Sequence, residues 1–156
     1  MRRKKKIKRE LSPDPKYGEP LLAKCINHLM EDGKKSVARK VMYDTIDEIR
    51  RLEKDKDPVA VFTEAIRNVG PQMEVKSRRV GGANYQIPRE VNPQRRLTLA
   101  FRWLIDTARS KKGKPMHKKF AEELVLAAKN EGAAIKKKID THRMAEANKA
   151  FAHFAW

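Results

Sequence analysis

The chain has 156 residues with 37 lysines and arginines against 20 aspartates and glutamates, so its formal net charge is +17. Its hydrophobic fraction of 40% excludes a chain that is disordered throughout, while so large a positive charge favours a polyanionic partner. The longest uncharged apolar stretch, 124–128, is too short for a membrane span, and no apolar segment follows the basic start as in a signal peptide. We therefore expect no membrane partner and no export. A single cysteine, Cys25, excludes an internal disulfide and fits a reducing compartment.

A basic run at the start of the chain is the first feature in chain order. We expect residues 1–19 to form a basic extension that is disordered when free and ordered by RNA, and residues 20–156 to form a single domain. A nuclear-localisation signal is the alternative interpretation, but the basic residues elsewhere in the chain favour RNA. The cations of the run are Arg2, Arg3, Lys4, Lys5, Lys6, Lys8 and Arg9.

Apolar residues at helical spacing then predict three helices. The first follows a stripe over 22–29, and the second follows a stripe over 37–52. Asp57 before Pro58 is typical of a helix start, because it places an N-cap before proline at the first helical position. The third helix runs from there to the breaker at Gly70.

The segment 72–91 has a period of two, which predicts a β-hairpin with two adjacent glycines at its turn. A two-residue turn would pair Val75 with Pro88. A loop with an odd number of residues would instead pair Val75 with Ile87 and keep one apolar face. We therefore expect a loop of three or five residues, or a bulge.

Three further helices complete the chain. Asn92 before Pro93 repeats the start signal, and apolar spacing continues to Ala108. Two more helices fit 115–129 and 133–148. The predicted fold class is therefore mainly α: a bundle of about six helices with one β-hairpin arm, about residues 72–91, inserted between the third and fourth helices.

Several basic residues occupy predicted helix starts, where the helix dipole favours acids. For one pair alone, a solvated surface is the better interpretation. Their recurrence at four of the five internal helix starts favours phosphate binding, since backbone N–H groups and cations would converge there. The residues are Lys34, Lys35, Arg95, Arg96, Lys118, Lys119, Lys136, Lys137 and Lys138.

An arginine stripe is predicted on the fourth helix, because Arg95, Arg102 and Arg109 are spaced seven apart and share a face. A charged outer face is routine, but such faces usually mix signs, and here only Asp106 offers a nearby acid. We therefore favour nucleic-acid binding, and we expect alanine at each arginine to weaken that binding with little loss of stability.

The arm carries its own candidates. Cations near its tip can bind phosphates or stack on unpaired bases. Tyr85 has two equally good interpretations, as a stacking platform for a base or as a residue packed within the protein. The candidate residues of the arm are Lys76, Arg78, Arg79, Gly81, Gly82 and Tyr85.

No catalytic, metal or cofactor site is predicted. Cys25 and His28 would suit a metal pair on one helix, but no second pair exists, so a core cysteine and a partly buried histidine are the better interpretation. The run 110–114 does not fit the P-loop pattern. The aromatic C-terminal end, 151–156, is expected to fold back on the bundle or to dock on a neighbour.

Five segments together resemble the ribosomal protein S7 family, bacterial members of which belong to the small subunit. They are 32–36 (DGKKS), 75–83 (VKSRRVGGA), 85–88 (YQIP), 95–103 (RRLTLAFRW) and 142–151 (HRMAEANKAF). One departure is Ala155, where an arginine often precedes the final tryptophan.

The resemblance implies a cytoplasmic, non-enzymatic constituent of the ribosome. It implies direct binding to the 3′ major domain of small-subunit rRNA, nucleation of the subunit head, and an arm near the mRNA path and the exit-site tRNA. Implied partners are that rRNA and neighbouring proteins of the head and platform, with no small-molecule substrate. Further candidate rRNA-binding residues are Lys111, Lys112, Lys114, His142 and Arg143.

Two other functions fit the residues less well. Basic helical bundles with hairpin arms also wrap DNA, so a DNA-binding architectural protein is the main alternative. An RNA-modifying enzyme is a distant third, because no acid, base or metal residues stand in a recognisable frame.

Overall fold

The computed structural model describes residues 12–154, so the predicted cations of the basic run and the last two residues lie outside the described part. Six helices and one antiparallel hairpin confirm the predicted fold class. A 3₁₀ segment, Lys149–Phe154, follows the last helix. The elements are α1 (Pro20–Leu29), α2 (Lys35–Leu52), α3 (Pro58–Val69), β1 (Met73–Val80), β2 (Ala83–Glu90), α4 (Pro93–Ser110), α5 (Met116–Ala128) and α6 (Ala133–Ala147).

Helix α5 lies at the centre of the bundle, in contact with α2, α3 and α4. Two of its three alanines, Ala121 and Ala127, are fully buried and let the neighbouring helices approach closely. Three phenylalanines, Phe62, Phe101 and Phe120, fill the core from α3, α4 and α5. Each contributes about 1.5–3 kcal/mol relative to an exposed position. None of the described helices has the length and apolar character needed to span a membrane.

Cys25 is a core residue, as predicted. It is fully buried on α1, and this burial raises the pKa of its thiol. His28, one turn later, stacks on Phe101 with 5.4 Å between ring centroids. Among residues 12–154 no group of three histidine, cysteine or acidic side chains could hold a metal ion.

The segment that precedes α1 is attached to α2. Asp14 is 3% exposed, and its carboxylate accepts the Tyr43 hydroxyl at 3.1 Å and the backbone N–H groups of Lys16 and Tyr17. The Lys16 ammonium lies over the Tyr43 ring, 4.9 Å from its centroid. This attachment holds residues 14–17 against α2, and no sequence signal indicated it.

The register of the hairpin differs from the prediction. Val80 pairs with Ala83 across a two-residue turn, and Val75 therefore lies opposite Pro88, so the expected odd loop or bulge is wrong. Both turn glycines have positive φ, 57° and 91°, as in a type I′ turn whose twist matches that of the strands. Glycine meets this requirement without strain. The preference of the Gly-Gly pair for a two-residue turn therefore outweighed the single apolar face that an odd loop would have kept.

In this register, both faces of the hairpin are covered at its base. Ile87 and Pro88 are consecutive and point to opposite faces, yet both are buried. Helix α6 contacts both strands, and the 3₁₀ segment contacts β2. The arm is therefore packed against the C-terminal elements along part of its length.

Candidate nucleic-acid interface

The first turns of the helices lack the acids that normally complement the helix dipole, although Glu19 and Asp57 are the N-caps of α1 and α3. None of the six helices has an aspartate or glutamate in its first turn. The predicted positions are confirmed, since Lys34 is the N-cap of α2, and 95–96, 118–119 and 136–138 lie close to the starts of α4, α5 and α6. Cations there oppose the dipole by about 0.3–1 kcal/mol each, so a bound anion would be favoured.

The start of α6 is an exception, because the protein supplies its own anion. Glu123 of α5 is fully buried, and its Oε1 accepts the backbone N–H of Ala134 at 2.9 Å. The Lys111 ammonium lies 2.6 Å from Oε2 of the same carboxylate. Glu123 thus caps α6 from a neighbouring helix, and Lys111 neutralises it.

The arginine stripe of α4 has more acidic neighbours than the sequence indicated. Arg95 pairs with Glu74 of β1 at 3.3 Å, and Arg109 pairs with Glu31 at 2.7 Å. The expectation that only Asp106 lies nearby is therefore wrong, because these acids come from other elements. Arg102 is exposed, and no carboxylate of residues 12–154 lies within ion-pair distance of it.

Three predicted cations converge on one groove of about 450 Å³ between α2, α4 and α5. Lys34, Arg109 and Lys119 all line it, although they are far apart in the sequence. Its lining includes Val37, which is 56% exposed, and Met116. We call this surface the groove. Its lining combines these three cations with apolar side chains, among them Val37 and Met116.

The acids of the groove hold its cations weakly. Asp32 lies 3.9 Å from Lys34, and the side chains of Asp32 and Glu31 are 81% and 68% exposed. Exposed pairs of this kind contribute about 0–1 kcal/mol. A phosphate could therefore compete with either carboxylate, although the hydrogen bond from Arg109 to the Leu29 carbonyl, 3.2 Å, holds that arginine in place.

Another group of cations lies at the end of α3 and is used inside the protein. Lys138 donates to the Asn68 carbonyl at 2.7 Å, and Arg96 donates to the Gly70 carbonyl at 3.1 Å. The His142 Nε2 accepts the backbone N–H of Gln72 at 3.0 Å. We call residues 68–72 with these three side chains the joint, because β1 begins directly after it.

Close packing in the joint shifts the titration of two of its groups. Partial burial and the nearby Arg96 lower the pKa of Lys138. Partial burial, followed by the charges of Lys138 and Arg96, lowers the pKa of His142. The accepted N–H requires the neutral imidazole, which the lowered pKa favours. His142 and Arg96, both predicted to bind rRNA, thus have partners within the chain.

The arm presents part of its predicted set. Lys76, Arg79 and both turn glycines are exposed. Tyr85 is half-buried, and its ring centroid lies 5.2 Å from that of Phe151 at an interplanar angle of 54°. This contact supports packing within the protein over a free stacking platform.

The other predicted cations divide by exposure and pairing. Lys114 pairs with Glu122. The others are exposed, and no ion pair to them occurs among residues 12–154: Lys35, Lys112, Lys118, Lys136, Lys137 and Arg143.

Two apolar residues of the groove were missed by sequence reasoning. Val37 was assigned to the inward stripe of the second helix, yet it is exposed, and Met116 was not considered. The available signal was a valine directly after the basic start of a helix. Its exposure depends on where α5 crosses α2, which residue spacing does not encode.

Comparison with known protein families decides the relationship. The family model for ribosomal protein S7p/S5e matches residues 1–149. The chain belongs to this family. It is therefore a ribosomal protein from a family that is not one of enzymes, and the predicted location in the ribosome is confirmed.

Full-length relatives agree with the family model. Small ribosomal subunit protein uS7 of Thermotoga maritima is 56% identical over 156 residues, which is all of both chains. The protein of the same name from Fervidobacterium nodosum is also 56% identical over the full length. That of Francisella tularensis is 52% identical over 155 residues, 99% of each chain.

Proposed function

We propose that the chain is a structural constituent of the small ribosomal subunit and binds its rRNA directly, with the groove as a central contact. The observation that carries this proposal is the convergence of Lys34, the N-cap of α2, with Arg109 of α4 and Lys119 of α5 on one groove whose lining also includes Val37. Phosphates suit the cations, and the exposed Val37 beside them offers an apolar contact to an unpaired base. The names of the full-length relatives support the choice of the small subunit.

The finer part of the proposal rests on the likeness to the S7 family. We propose that the target is the 3′ major domain of the rRNA, that binding nucleates the subunit head, and that the partners include proteins of the head and platform. The exposed cations of the arm, Lys76 and Arg79, support a place beside other RNA, the mRNA and the exit-site tRNA. The cytoplasm is the corresponding compartment.

A binding experiment with a matched control tests the groove. The double variant Lys34→Ala with Lys119→Ala removes two groove cations. Binding to a transcript of the 3′ major domain is measured by fluorescence anisotropy over a series of salt concentrations. We expect the affinity to fall by roughly tenfold or more. The slope of log affinity against log salt concentration should become shallower by about 1.4–1.8, because each lost phosphate contact removes about 0.7–0.9.

The control removes the same charge at a distance. Lys54 and Lys56 lie in the loop beyond the far end of α2, an 18-residue helix and therefore roughly 27 Å from Lys34. Lys54→Ala with Lys56→Ala should leave the salt slope nearly unchanged. Equal weakening of transcript binding in both double variants would overturn the proposed role of the groove and indicate diffuse electrostatic attraction. Equal competition by duplex DNA would favour an architectural DNA-binding protein.

A further inference from the structure

The path of the chain into the arm is fixed by side chains from two other helices. Residues 68–72 lead out of α3, and their backbone groups are bound in turn by Lys138, Arg96 and His142. Two of these contacts satisfy carbonyl groups at the end of α3 that the helix itself leaves unpaired. The third, from His142, reaches Gln72, the residue that precedes β1.

Gln72 is also where the hairpin closes. Its carbonyl accepts the backbone N–H of Val91 at 2.9 Å, so the same residue joins both strands of the arm and contacts α6. The imidazole of His142 therefore acts on the base of the arm as a whole. Lys138 lies one turn earlier on the same face of α6.

A second contact lies farther along the arm. Phe151, in the 3₁₀ segment, packs on Tyr85 of β2, and Tyr85 pairs with Arg78 in the ladder. Arg78 is six residues from Gln72, which corresponds to roughly 20 Å along the strand. Two contacts at that separation define a direction, whereas one contact at the base would leave a hinge.

We propose that His142 and Phe151 are positioning residues that set the direction of the hairpin arm relative to the helical bundle before any RNA is bound. The length of the arm makes this necessary. Strands of eight residues extend roughly 27 Å, so a rotation of about 10° at the base moves the tip by about 5 Å. A two-stranded hairpin is marginally stable by itself, so contacts with the rest of the chain have to set its direction. A preset direction removes the entropy cost of orienting the arm upon binding.

The direction of the arm can be measured on the full chain without RNA. Nitroxide labels at Asn84→Cys, beside the turn, and at Glu64→Cys, on the exposed side of α3, report the distance by double electron–electron resonance. The native Cys25 is fully buried, and a mock labelling of the unsubstituted protein shows whether it remains unmodified. We expect one narrow distance distribution.

Three variants separate positioning from general loss of structure. His142→Leu combined with Phe151→Ala should shift or broaden the distribution by about 5 Å, while the circular dichroism of the bundle is unchanged. His142→Gln keeps an acceptor at the position of Nε2, so its distribution should stay narrow. Asp140→Leu, an exposed change on the same helix, should have no effect.

Acidification provides a readout that a merely structural role would not show. A protonated His142 has no acceptor for the Gln72 N–H, and it faces Lys138 on α6 and Arg96 on α4. The distribution should broaden at low pH in the native chain but not in His142→Gln. The proposal would be overturned by an unchanged distance distribution in the His142→Leu and Phe151→Ala double variant, or by equal broadening in that double variant and in His142→Gln. A broad distribution in the native chain would overturn it as well.

Discussion

The groove and the joint each contain three cationic or basic side chains, but their surroundings differ. In the groove, Lys34 and Arg109 face carboxylates that are mostly exposed, and Val37 beside them is open to solvent. In the joint, Lys138 and Arg96 bind backbone carbonyls at the end of a helix. A positive charge is available to RNA only where the protein has not already given it a strong partner.

This comparison changes the interpretation of the net charge. Part of the +17 serves the fold itself, since the joint stabilises the exit from α3 and Lys111 neutralises a buried carboxylate. Among residues 12–154, other cations have weaker carboxylate partners, such as Lys34 at 3.9 Å from Asp32, or no carboxylate within ion-pair distance, as at the exposed Arg102. Substitutions should therefore fall into two classes, one that lowers stability and one that lowers RNA affinity.

The largest expected effect on stability is that of Glu123→Ala. The variant leaves the Ala134 N–H without its acceptor and Lys111 without its counter-ion. We expect a loss of about 2–3 kcal/mol in urea unfolding, below the range for a fully buried pair because Lys111 is partly exposed. Glu122→Ala, which breaks a more exposed pair with Lys114, should cost less than 1 kcal/mol. Similar losses of unfolding free energy in both variants would contradict the role of Glu123 as the cap of α6.

Gly70→Ala should have the next largest effect. A Cβ at this position would lie 2.8 Å from both Cγ and Nε of Arg96, so the arginine must leave the Gly70 carbonyl. The lost hydrogen bond and the displacement should cost about 1–2 kcal/mol. A double-mutant cycle with Arg96→Ala checks the cause, because the two losses should not add. Additive losses would show that the joint is not disturbed.

A smaller effect is expected on the pH dependence of stability. The pKa of His142 is lowered in the folded state, so between that pKa and its ordinary value the unfolded chain binds more protons. Stability should therefore fall as the pH is lowered through this window. His28, whose pKa is lowered by partial burial and by Arg102, contributes in the same direction. In thermal unfolding, the stability of His142→Gln should fall less steeply with decreasing pH than that of the native chain. An identical pH profile would contradict the contribution of His142.

The smallest expected effect on stability separates two arginines of the stripe. Arg109→Ala loses the contacts to Leu29 and Glu31 and should cost about 1 kcal/mol. Arg102→Ala should cost almost nothing, yet both variants should weaken rRNA binding. Thermal unfolding and anisotropy on the same samples measure the two quantities. A loss of stability with Arg102→Ala would place that residue among the structural cations.

Local sequence signals were sufficient for the helices, whereas the apolar pattern of the strands led to the wrong hairpin register. Asp57 and Asn92 cap α3 and α4 as their positions before proline indicated, because a cap acts within a few residues. The register of the hairpin was predicted wrongly from the pairing of Val75 with Ile87. Burial of Ile87 depends on helix α6 and the 3₁₀ segment, which the strand pattern cannot show.

The sequence alone determined the number and order of the elements, the excess of basic charge and its positions near helix starts. Only the tertiary structure decided which cations are available, because partners such as Glu31, Glu123 and Gly70 come from distant parts of the chain. Helical spacing and capping are short-range effects, whereas ion pairing depends on which side chains the fold brings within a few ångströms. The resemblance identified the family, and the fold distinguished cations that have backbone partners within the chain, such as Lys138 and Arg96, from exposed ones such as Arg102.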